Sequence, residues 1–145
     1  MDMNIFEALI SFNTAKLAKE KGFDIPCIAT YKDAELYHHK SKRYIDLSMS
    51  KKWIEEPIKN SAMLDAKVPR YSAPTQSLLQ KWLRDVHNIH IEIQSPDTPN
   101  ETWGSHIRYI NKFGNRGDCG DSETYEQALE AGLLEALKLI EDEEI

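Results

Sequence analysis

The sequence predicts an α+β fold, an antiparallel sheet with helices packed on one face. Three observations predict it. At Asn88 the rhythm of apolar residues changes from every three or four positions to strict alternation, so a helix over 74–87 gives way to a strand. A second strand from Trp103 to Ile110 places Trp103, Ile107 and Tyr109 on one face and closes a hairpin around 89–110. Thr124 with Gln127 three residues on has the form of a capping box and opens a helix over 122–140.

Taken from the start, the first element is a helix over 4–21. Phe6, Leu9, Asn13 and Leu17 share one stripe, and Gly22 is a good stop with Phe23 folding back on the last turn. Asn4 could open this helix, or Ser11 could cap a shorter one. After the break at Asp24-Ile25-Pro26, Cys27–Tyr31 and Glu35–His39 read as a hairpin around 27–39. The stretch 40–70 is a poorly readable connection within a single globular domain, 1–145. Tyr44, Ile45 and Leu47 suit a short strand, Ser48–Ile54 a helical turn packing Met49 and Trp53, and Asn60–Arg70 a loop.

In the central helix Pro74 fits the first turn, where its missing N–H costs little, and Ser72 is placed to cap. Leu78, Leu79, Trp82, Leu83 and Val86 form its apolar face. Asn88 tolerates the left-handed stop, and Ile89, Ile91 and Ile93 then point one way while His90, Glu92 and Gln94 point the other. SPDTPNET at 95–102 is a turn-rich connection, and 111–121, with Gly114, Gly117 and Gly120, reads as a flexible loop. The last helix buries Tyr125, Ala128, Leu129, Leu133, Ala136, Leu137 and Ile140. Gly132 interrupts it at a cost of up to ~1 kcal/mol, which a close approach to the sheet would explain.

Composition narrows function by exclusion. At 145 residues with 41% hydrophobic and 29% charged content, the chain suits one soluble domain. A net charge of −6 argues against general nucleic-acid binding, though a local basic patch is compatible with it. No apolar run approaches the roughly 20 residues that span a bilayer, and the acidic N-terminus has no secretory n-region, so a cytoplasmic location is expected. Cys27 and Cys119 lack CxxC spacing and read as free thiols.

Three groups of residues carry candidate chemistry. FGNRGDCGD before a helix resembles a phosphate-cradling setting, with Arg116 as its cation. Its G-x-x-G-x-x-G spacing fits neither the P-loop nor the dinucleotide fingerprint, and Asp118, Asp121 and Glu123 would repel an anion. His90 and Glu92, with His106 on the facing strand, are metal-ligand types on one sheet face; polar residues are expected there anyway. Lys42, Arg43, Tyr44 and Trp53, within a basic stretch, could hold a nucleotide-like ligand by charge and stacking. No nucleophile elbow or catalytic triad is readable, no cofactor is expected, and the sequence leans away from an enzyme.

Tyr71-Ser72-Ala73-Pro74-Thr75-Gln76, then Leu79–Arg84, His87–Ile91 and Thr124–Glu130, resemble a group of small uncharacterised proteins of phages and prophage-like regions of gut bacteria. Ala15–Leu17 and Gly22–Asp24 are similar to the opening helix of that group. The likeness implies a mobile, accessory protein and transfers no functional residue. The resulting expectation is a non-enzymatic accessory protein that binds a protein partner or a second copy of itself. An exposed aromatic patch at Tyr37, Tyr44, Trp53 or Trp103 would serve as its contact surface. A small-molecule or nucleotide-like ligand binder is the alternative, and a small metal-dependent enzyme the third reading.

Overall fold

A computed structural model describes residues 7–32, 34–39, 53–54, 60, 70–112 and 115–141, with backbone alone at 38, 39, 53, 54, 115 and 116. It is α+β, as the sequence predicts, with three helices and two sheets among these residues. The chain divides into two compact units. One is continuous, Ile10–Pro74; the other joins Met1–Leu9 to Thr75–Ile145.

In the first unit, helix α1 spans Phe12–Glu20 rather than 4–21. Ser11 is its cap, with Oγ accepting from the Thr14 amide at 3.4 Å. A helix running through residue 10 from residue 4 is ruled out, because the Ile10 amide bonds the Pro74 carbonyl at 3.0 Å instead of a carbonyl one turn back. The end of α1 follows the expected stop. Gly22 takes φ +93°, and the amides of Gly22 and Phe23 return to Lys19 and Ala18 at 3.1 and 2.9 Å. Phe23 is buried.

Strands β1 (Ala29–Lys32) and β2 (Glu35–His39) form the expected hairpin, turned at Ala34 with φ 60°. The sheet is completed by β3 (Trp53–Ile54) and β4 (Arg70–Ser72) in the order β3-β2-β1-β4. The β2–β1 and β1–β4 pairings are antiparallel, and the short β2–β3 pairing is parallel. Residues 53–54 are therefore extended, not part of a helical turn, and the other elements expected within 40–52 lie outside the described residues. Asn60 ties the unit together: its amide donates to the Phe23 carbonyl at 2.6 Å and its carbonyl accepts from the Ser72 amide at 2.8 Å.

In the second unit, α2 is Gln76–His87. It starts two residues later than expected because Thr75, not Ser72, caps it, with Oγ1 accepting from the Leu78 amide at 3.2 Å. Ser72 is committed to β4. Leu79, Trp82 and Leu83 are buried, but Val86 is 57% exposed, and the His87 ring packs edgewise on Trp82 at 4.6 Å. Asn88 adopts the left-handed conformation, φ 57° and ψ 33°, and β5 (Ile89–Gln94) begins at the next residue.

β5 pairs antiparallel with β6 (Trp103–Tyr109), Ile91 opposite Ile107 and Ile89 opposite Tyr109. Ile89, Ile91 and Ile107 are buried. Helix α3 (Tyr125–Lys138) covers this inner face with Ala128, Leu129, Leu133, Ala136 and Leu137, while Tyr125 stays 42% exposed. Thr124 caps it, accepting from the Gln127 amide at 3.1 Å. Gly132 is the point of closest approach: a Cβ there would lie 2.9 Å from both Ile91 Cγ2 and Ser105 Oγ.

The loop expected over 111–121 is corrected in its second half. Asn115–Ser122 is β7, an outer strand of the sheet β5-β6-β7. Two register shifts, between Trp103 and Ser105 and between Ile107 and Arg108, bend it against β6. Its glycines and carboxylates hide a strand that holds through the ladder with β6, with the Cys119 thiol at 3.9 Å from the Ala131 carbonyl of α3.

A candidate acidic cleft at the end of the β5-β6-β7 sheet

Three local structures converge at the start of β6. The turn after β5 is fixed by Glu101, whose carboxylate accepts from the Asp97 amide at 3.0 Å while its own amide bonds the Thr98 carbonyl at 3.1 Å. The bulged end of β7 places Asp121 in the left-handed region, φ 63°, where its carboxylate accepts from the Thr102 hydroxyl at 3.3 Å. Between them stands Trp103, half-buried, its ring T-packed on Tyr125 at 5.8 Å and 85°. The result is a cleft of about 600 Å³ lined by Asp97, Glu101, Trp103, Asp118 and Asp121. No lysine or arginine is among its described lining residues.

Cys119 lines this cleft and also a smaller one of about 280 Å³, shared with Glu135 of α3 and with Leu139 just past its end. It is half-buried and free. Cys27 is free and buried, and burial pushes its thiol up to about 12, the neighbouring Ser72 hydroxyl offsetting part of the rise.

The outer face of the sheet brings together the three residues expected to bind metal. His90 and Glu92 share that face, and Glu92 lies directly opposite His106. Each has a protein partner. Glu92 Oε1 accepts from Arg108 at 2.9 and 3.2 Å, His90 stands 3.8 Å from the same carboxylate, and His106 Nδ1 bonds Asp118 across β6 and β7. Among the described residues no group of three or more His, Cys, Asp or Glu side chains is placed to hold a metal ion. A row of alternating charge on an exposed face is chiefly cross-strand pairing.

Lys42, Arg43 and Tyr44 lie outside the described residues. Trp53 and Arg116 are placed in β3 and β7 by backbone alone. The cleft carboxylates were not picked out by sequence reasoning, because 95–102 and 115–121 are brought together by the β6 ladder and the Thr102–Asp121 bond, neither of which leaves a periodic signal in the sequence. The available signal was the excess of Asp and Glu in the two segments, of which only Asp118 and Asp121, together with Glu123, were weighed, as hostile to an anion.

Charge is divided unevenly between the units. Ile10–Pro74 carries 12 Lys and Arg against 8 Asp and Glu; the other unit carries 6 against 16. The net −6 of the chain thus conceals a basic unit and a strongly acidic one. No helix among the described residues is long and apolar enough to cross a membrane. Comparison with protein-family models, with curated proteins and with solved structures returns no match to this chain.

Proposed function

We propose that the protein is a non-enzymatic accessory protein that binds a protein partner, and that a basic segment of the partner enters the acidic cleft. The observation that carries this reading is the set of carboxylates, Asp97, Glu101, Asp118 and Asp121, around one half-buried tryptophan with no lining cation. A cationic side chain entering there gains Coulomb attraction from several sides and the face of an aromatic ring. The acidic unit around the cleft adds long-range steering. The phage-derived role that the sequence resemblance implies belongs to the same proposal.

The test is fluorescence anisotropy with a labelled 12-residue Lys/Arg-rich peptide at low and physiological salt. Replacing Asp97→Asn, Glu101→Gln and Asp121→Asn together is expected to weaken binding at least tenfold, and Trp103 emission is expected to shift on binding. Equal affinity of the triple variant, or no binding at 100 µM peptide and low salt, would overturn the reading.

A further inference from the structure

We propose a second binding surface, on the basic unit, for single-stranded nucleic acid. It goes beyond the acidic cleft and stands or falls separately. Phe12, at the start of α1, packs edge-to-face with Tyr31 of β1 at 5.6 Å and with Tyr71 of β4 at 5.7 Å. Tyr31 and Tyr71 are register partners on adjacent strands, so the three rings form one cluster. Both Phe12 contacts are edge-to-face, and all three rings are half-buried, not covered.

Two ammonium groups from one helix sit on this cluster. Lys16 Nζ lies 5.7 Å from the Phe12 ring centre, and Lys19 Nζ lies 5.2 Å from that of Tyr71. Lys19 is also held by the Arg70 carbonyl at 3.1 Å, and the Tyr31 hydroxyl is anchored on the Ile10 carbonyl at 2.7 Å. A third pair, the Arg70 guanidinium 5.7 Å from the Tyr37 ring centre, lies on the opposite face of the sheet and is not part of this surface. Two ammonium groups thus lie within 6 Å of ring centres in one cluster, the range in which a cation is attracted to a ring. Cations fixed beside partly open rings are what an unpaired strand requires, phosphates meeting the cations and bases the rings. A duplex keeps its bases stacked and would use only the charge.

The experiment measures binding of labelled 15-mer dT and rU strands, and of a 15-base-pair duplex, to the full chain at 50 and 200 mM salt. Single strands of either sugar are expected to bind more tightly than the duplex. The double variant K16Q/K19Q is expected to weaken single-strand binding at least fivefold and to reduce the salt slope by about 1.4, at ~0.7 per phosphate contact. Tyr71→Ala is expected to weaken it, and Tyr71→Phe to retain it. Because Tyr71→Ala could disturb folding, the lysine variant decides if that protein is unfolded by circular dichroism. Unchanged affinity of K16Q/K19Q, equal binding of duplex, or equal competition by polyglutamate of matched charge would overturn the proposal.

Discussion

At Cys27 a single buried thiol makes the fold sensitive to alkali. Its ordinary value of 9.0 is raised to about 12 in the folded chain, because a thiolate there would lose its hydration. The folded state therefore keeps a proton that the unfolded chain gives up. Stability from this group is intact below about pH 9 and falls between about pH 9 and 12, by up to ~1.4 kcal/mol per pH unit. Urea midpoints of the native protein and of Cys27→Ala, measured from pH 8 to 11, are expected to diverge in that direction; parallel curves would show that the thiol titrates as it does in the unfolded chain. Iodoacetamide at pH 8 should modify Cys119 and spare Cys27. Some single residues were fully legible in the sequence. Asn88 and Gly22 sit at backbone angles that few residue types accept, so their identity announces the conformation. Asn60 was not legible, since its role depends on Phe23 and Ser72, partners 37 and 12 residues away.

Elements were legible wherever a helix or strand has one wet and one dry face. The α2–β5 switch and the α3 stripe follow from apolar spacing, because burial imposes that spacing directly. β7 follows a different logic. It lies at the sheet edge, its register is shifted twice against β6, and its sequence NRGDCGDS contains no β-branched residue. Such a strand is defined by its neighbour and carries no periodicity of its own. The start of α1 was ambiguous for a similar reason: apolar residues before Ser11 suit a helix, but the Ile10 amide and the Ala8 carbonyl are used across to Pro74 and Gln76. Gly132 joins helix and sheet energetically. An alanine there gains up to ~1 kcal/mol in helix propensity. It also drives a methyl to 2.9 Å from Ile91 Cγ2 and Ser105 Oγ, an overpacking that costs about 1–3 kcal/mol. Gly132→Ala is therefore expected to lower the unfolding free energy by about 1–2 kcal/mol, measured by urea denaturation. A stabilised variant would mean that α3 can lift from the sheet without penalty.

For the molecule as a whole, composition was informative in sum and misleading in detail. A net −6 describes neither the unit with 12 basic residues nor the unit with 16 acidic ones, and the partition follows contacts that sequence order does not display. The connectivity itself permits a decisive separation. Leu9 and Thr75 are bridge partners in an antiparallel pair, and the Gln76 amide bonds the Ala8 carbonyl at 2.8 Å. Paired Cα atoms in such a ladder stand about 4.5–5.5 Å apart, a gap that a two-residue Asn-Gly turn closes without strain. Replacing residues 10–74 by Asn-Gly should leave α2, β5, β6, β7 and α3 with their own core of Leu79, Leu83, Ile89, Ile91, Ile107, Leu133 and Leu137. The shortened chain is expected to unfold cooperatively in urea and to keep the near-ultraviolet signals of Trp82 and Trp103. It should bind the basic peptide and lose the single-stranded oligonucleotide. A non-cooperative transition would show that the acidic unit depends on the inserted segment for its packing. Retained oligonucleotide binding would place that activity outside the basic unit.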